Sequence, residues 1–240
     1  MSALIVAQHI KKSFHDQVVL NDLSYRQQAG EFVAVMGTSG SGKSTLLYAL
    51  SGMDPVDSGE ITFDGHVLTH QSEKILAKIR REEMGFVFQS PTLLSNLNII
   101  DNIIFLQLLA KKQSLEMIKT QAIQLMTQVG IGEIKDHEIT AASGGQLQRA
   151  SICRALMNRP KMLFADEPTG ALNSKWSSEI MTLFHQINQN GTTIFLVTHD
   201  PDVAAHAQRV IFLKDGQIVA EIQHTINADQ VRTILAQLEI

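Results

Sequence analysis

Three groups of residues in this chain have the types and spacing to do phosphate chemistry. The first is Gly37-Thr38-Ser39-Gly40-Ser41-Gly42-Lys43-Ser44, followed by Thr45, which fits the pattern G-x-x-x-x-G-K-[ST]. It stands between the apolar run FVAVM and the run STLLYAL, the strand-then-helix setting the pattern requires. Glycines let the backbone curl so that successive N–H groups converge on one anion, and the helix that follows adds its positive end. Lys43 supplies a mobile charge for β- and γ-phosphates, and the Ser44 hydroxyl a ligand for Mg²⁺. A side chain at position 42 is expected to fall where phosphate belongs. A chance match in a chain of this length is on the order of 1 %, so phosphate binding is the reading carried forward.

The second group lies at the ends of apolar runs. KMLFADEP delivers Asp166 and Glu167 where a strand should finish, the edge at which open α/β sheets bind ligands. Asp166 is placed to hold Mg²⁺, and Glu167 to orient or deprotonate a water attacking the γ-phosphorus. FLVTHD brings His199 to the same edge as a γ-phosphate contact. MGFVFQ ends on Gln89, which is expected to reach Mg²⁺ and the attacking water. The third group, Ser143-Gly144-Gly145-Gln146, opens a long amphipathic run and forms a second anion-ready helix start. One ATP cannot use two such starts far apart on one chain. Two copies meeting head to tail would each supply what the other lacks.

Strands are expected at FVAVMG, MGFVFQ, KMLFAD, TTIFLVTHD and RVIFLKDG. The middle runs are continuously apolar, as in strands covered on both faces. Helical periodicity marks 44–51, 115–129, 146–158 and 177–190. Strands alternating with helices imply an α/β fold with a mostly parallel sheet. LIVAQHIKKSF, VVLNDLSYRQ and GEITFDGHVL read instead as short strands of an antiparallel β element near the N-terminus. From Pro91 to Arg159 strand signals vanish, so 91–159 is expected to be an inserted helical subdomain within a single domain of 1–240, with 1–90 and 160–240 as its core. The tail carries a hairpin turning at Asp215-Gly216 and a helix from about Asn227.

Composition narrows the class further. The chain has 240 residues, 44 % hydrophobic and 18 % charged, with a net charge of −4 that argues against a general nucleic-acid binder. The single cysteine, Cys153, cannot form an internal disulfide and is expected to be a small buried hydrophobe. No secretory signal pattern opens the chain. The greasiest segment, NLNIIDNIIFLQLLAKK, is broken by polar residues and falls short of the ~18 apolar residues a membrane crossing needs.

In their order and over nearly the whole chain, these motifs resemble the ATP-binding subunit of ABC transporters. That resemblance implies a P-loop NTPase with a RecA-like parallel core, an N-terminal antiparallel β subdomain and a helical subdomain bearing the signature Ser143–Gln146. It implies an ATP-dependent homodimer sandwiching two Mg-ATP, with Phe14 stacking on adenine. It also implies a transmembrane permease received around Gln89 and the helical subdomain, on the cytoplasmic face of a bacterial membrane. The stretches around Gln89 and Asp166 are similar to the branch of lipoprotein-release, macrolide-export and antimicrobial-peptide-resistance ATPases. A regulatory ATPase that gates a membrane complex without transport is the alternative. Two positions depart from the family: Ala142 precedes Ser143 where leucine is usual, and Asn173 stands where the loop after Glu167 usually carries aspartate.

Overall fold

The computed structural model describes residues 3–110, 113–223 and 226–239; Lys111 and Lys112 of the greasiest segment lie outside them. Along the chain run β1 (Ala3–Phe14), β2 (Gln17–Gln28), β3 (Phe32–Met36), α1 (Lys43–Leu50), β4 (Ser58–Phe63), β5 (His66–Val67), α2 (Glu73–Glu83) and β6 (Met84–Phe88). Then come α3 (Ile99–Ala110), α4 (Leu115–Gln128), α5 (Gly144–Leu156), β7 (Met162–Asp166), α6 (Ser174–Gln189) and β8 (Thr193–Val197). The chain finishes with α7 (Pro201–Ala204), β9 (Arg209–Lys214), β10 (Gln217–Gln223) and α8 (Ala228–Gln237).

Six strands form one sheet in the order β10-β9-β3-β8-β7-β6, parallel except for the β9–β10 hairpin. The five apolar runs read from the sequence are β3, β6, β7, β8 and β9, all in this sheet. A second, antiparallel sheet runs β2-β1-β4-β5. Its first two strands are not short: each has 12 residues, and register shifts along their pairing let such long strands bend. Nothing in the sequence reading anticipates α2, whose charged sequence EKILAKIRREE buries no residue completely.

Successive side chains of a strand point to opposite faces, and the core divides accordingly. Val33 and Val35 of β3, Phe164 of β7 and Phe195 of β8 face the antiparallel sheet and α1. Phe32, Ala34, Leu163, Ala165 and Leu196 face α5, α6, α7 and α8 on the other side. Leu46, Leu47 and Leu50 of α1 are fully buried, each stabilising the fold by about 1.5–3 kcal/mol. A third cluster joins α3, α4 and α5, with Ile99, Ile100, Ile103 and Ile104 as its centre. The polar residues that interrupt the greasy run have structural tasks there. Asn102 bonds the backbone of Leu94, Leu97 and Asn98, and Gln107 donates to the Met157 carbonyl at 2.8 Å. Among the described residues no helix is long and apolar enough to cross a membrane. Cys153 is fully buried in the third cluster, and burial pushes its thiol up to about 12.

Candidate functional site

Register sets the level of the site. Val197 at the end of β8 stands opposite both Val35 of β3 and Asp166 of β7, so three strand ends reach the same edge. From there the chain enters the glycine-rich loop, the Asp166-Glu167 turn and the His199 loop. Together they surround a cavity of about 870 Å³ lined by Gly37–Gly40, Gly42–Thr45, Glu167 and His199, with Phe14, Gln17, Val19, Met36 and Leu235 completing its walls.

Gly42 caps α1 in a left-handed conformation, φ 101°, with no side-chain hydrogen bond at the cap. A Cβ there would come within 2.8 Å of the Val19 carbonyl oxygen. This corrects the expectation from the sequence: the backbone of β2, rather than the space for phosphate, excludes a side chain. The loop is braced from behind by the β9–β10 turn, where the Gly216 N–H donates to the Ser41 carbonyl and the Gly216 carbonyl accepts from Asn21. The Lys43 ammonium curls back onto the carbonyls of Gly37 and Thr38, at 2.8 Å each. Burial lowers its pKa, opposed by the carboxylates of Glu167 and Asp166. The buried Ser41 hydroxyl has no partner among the described residues, an orphan in a loop whose glycines and backbone N–H groups suit an anion.

Asp166 accepts from the Ser44 hydroxyl at 3.0 Å and from the Tyr48 hydroxyl at 3.3 Å. Its carboxylate raises the Tyr48 pKa, second only to burial. Ser44 and Asp166 are hard oxygen donors. No group of three or more His, Cys, Asp and Glu able to hold a metal occurs among the described residues. Such a donor pair fits Mg²⁺, which takes one or two protein oxygens and completes its shell with phosphate and water.

Glu167 adopts φ 49°, a conformation rare outside glycine, while its N–H donates to the Val197 carbonyl at 2.9 Å. Its Oε1 lies 2.8 Å from Nδ1 of His199. The carboxylate is 18 % exposed and the imidazole 70 %, so the histidine is the solvent-facing member of the pair. Phe14, 46 % exposed at the end of β1, presents its ring at the cavity rim with the Lys12 ammonium 4.9 Å from its centroid.

Ser41 and Asp166 lie just behind this lining, and two further expected groups stand outside it. Gln89 is exposed beyond β6, its amide nitrogen 2.9 Å from where a Cβ on Gly170 would sit. In this conformation it packs on the loop after Glu167 rather than reaching the Ser44–Asp166 pair. Ser143 caps α5 reciprocally with Gln146, accepting from its N–H at 3.3 Å while Gln146 Oε1 accepts from the Ser143 N–H at 2.8 Å. Ser143 and Gly144 are exposed, and Gly145 is buried. Sequence reasoning missed Gln148, a buried residue whose amide bonds the carbonyls of Phe88 at 3.0 Å and Pro168 at 2.8 Å. It also missed Tyr48, one helical turn after Ser44. Asn173 caps α6, accepting from the Trp176 N–H at 3.0 Å.

A parallel sheet whose carboxyl edge bears this loop and these carboxylates is a P-loop NTPase. A family model described as ABC transporter matches residues 20–170. The chain is 42 % identical over 228 residues to the bacitracin export ATP-binding protein BceA of Halalkalibacterium halodurans, covering 92 % of this chain and 88 % of that protein. It is 38 % identical over 222 residues to the lipoprotein-releasing system ATP-binding protein LolD of Aquifex aeolicus, covering 92 % and 99 %. Among solved structures, the dimeric post-hydrolysis state of the ATP-binding cassette MJ0796 bound to ADP and Pi superposes with a TM-score of 0.85. It is 33 % identical and covers 91 % of this chain and 98 % of that one. The chain belongs to the ABC transporter family and is its ATP-hydrolysing cassette.

Proposed function

We propose that two copies of this chain close around two Mg-ATP and drive a membrane-embedded permease of an export or peptide- or lipoprotein-handling system. One observation carries the pairing: the exposed Ser143-Gly144 end of α5 lies outside the lining of the chain's own cavity. The Ser143 hydroxyl, accepting from Gln146, keeps its own hydrogen free to donate outward. A dimeric ATP-binding cassette among the structural relatives supports the same reading.

In this reading Phe14 stacks on the base and the Gly37–Thr45 loop cradles the phosphates. Lys43 exchanges two loop carbonyls for β- and γ-phosphate oxygens. Ser44 and Asp166 hold Mg²⁺, whose chemistry when bound is to neutralise charge building on the phosphates. Glu167 accepts the proton of the attacking water, and His199 steadies that carboxylate and faces the terminal phosphate. Gln89 would swing from Gly170 to the water and the metal when the clasp closes. Residues 91–159 act as the helical subdomain that carries Ser143–Gln146, with 1–90 and 160–240 as the nucleotide-binding core. The permease meets the face around Gln89 and that subdomain, which places the chain peripherally on the cytoplasmic side of the membrane.

The test is a Glu167→Gln chain in saturating Mg-ATP. Light scattering is expected to show a mass of twice 26.5 kDa, falling back to a single chain when Mg²⁺ is chelated. A single chain at saturating Mg-ATP overturns the reading.

A further inference from the structure

The chain has one tryptophan, and it sits in the first turn of α6. Its indole lies flat against Gly145: a Cβ on that glycine would come within 3.1 Å of both Cδ2 and Cε3. One helical turn further along the same face of α5, the Arg149 guanidinium stands 5.6 Å from the ring centroid. Arg149 is itself held on two further sides, by the Val129 carbonyl at 2.6 Å and by the Glu179 carboxylate. Glu179 lies three residues after Trp176 on α6, so glycine, indole, guanidinium and carboxylate close a stack between the two helices.

This stack has an orientation. It buries Gly145 and leaves Ser143 and Gly144 exposed, so one side of the α5 end is fixed and the other is open. A turn later, Gln148 bonds α5 to the Pro168 carbonyl, one residue after Glu167. The ring extends that anchorage outward to the exposed end, and α6 follows the loop that starts at Glu167 through its Asn173 cap. A rigid aromatic with two side-chain torsions makes such a contact at small entropic cost.

We propose that Trp176 is a positioning residue that ties the phosphate-covering end of α5 to the Glu167 loop of its own subunit. Each chain's two half-sites then move together. Closure over one nucleotide is thereby communicated to the carboxylate serving the other. The inference rests on the head-to-tail dimer proposed above.

Trp176→Ala is expected to lower turnover at saturating ATP by about tenfold, a loss on the order of 1.4 kcal/mol. It should also flatten the cooperativity of hydrolysis with ATP, while ATP affinity of the isolated chain stays at the parent value. Trp176→Phe, which keeps a flat ring on Gly145, restores turnover to within about twofold of the parent. Gly145→Ala is expected to reproduce the loss alone but to add little in the Trp176→Ala background, because the space its methyl needs is then vacant. Melting curves accompany every variant. Parent-like turnover and cooperativity in Trp176→Ala overturn the proposal. So does a turnover loss that merely tracks a lower melting temperature and is not rescued by phenylalanine. Pairing of the Glu167→Gln chain in Mg-ATP, measured alongside, separates the two claims. If pairing fails, the dimer reading falls and takes this proposal with it. If pairing holds while Trp176→Ala behaves as parent, this proposal alone falls.

Discussion

Two helices of this chain begin with glycine-rich segments, and they begin differently. At α1 the cap is Gly42, which offers no side chain, and the positive helix end opens into the chain's own cavity. At α5 the cap is Ser143, already engaged in a reciprocal pair with Gln146, and the end faces outward. An uncapped end is completed by whatever anion arrives, so α1 suits tight capture. A self-capped end is stable alone and adds one hydroxyl hydrogen and a partial positive charge to a phosphate held elsewhere. On the proposed reading, the first end binds and the second covers.

Substitutions on the two sides should therefore separate binding by one chain from closure by two. The largest effect is expected where both meet: Glu167→Gln should lower turnover by about 10²–10⁴-fold in a phosphate-release assay, with ATP still bound. Next, Lys43→Ala should weaken ATP binding to the single chain by about 10–150-fold in calorimetry, the span of a lost charged hydrogen-bond donor. Ser143→Ala should leave single-chain binding intact. It should weaken pairing of the Glu167→Gln chain and lower stability by about 1 kcal/mol through the lost cap, read by denaturant unfolding. An equal loss of single-chain affinity in that variant would erase the distinction between the two ends. The smallest effect belongs to Asn173→Asp, because either residue caps α6; unfolding should shift by less than about 0.5 kcal/mol.

How far the chain could be read before folding depended on the range of the signal. The glycine loop is local, and it lies where the pattern placed it, between β3 and α1. Alternation within β3, β7 and β8 is local too, and it sorts their side chains between two cores. Tyr48 was legible in principle, since it follows Ser44 by one helical turn and shares its face. The role of Asp215-Gly216 was not. Those residues read as a hairpin turn, and only the packing of β9 beside β3 brings that turn beneath Ser41. Gln148 likewise looks like any polar residue of an amphipathic helix until α5 is laid across β6 and β7. Helix α2 escaped notice because its apolar residues, Ile75, Leu76 and Ile79, are few among charges and none is fully buried. Contacts between elements distant in sequence depend on how those elements cross, which no spacing within one segment encodes.

The sulfur of Cys153 has a consequence for reagents that act on thiols. A thiol reacts with peroxides and disulfides as the attacking thiolate, and this one is both sealed from solvent and held protonated across the physiological range. With no other cysteine in the chain, such oxidants find no sulfhydryl on which to act. ATP turnover should accordingly be unchanged after exposure to a thiol-specific reagent.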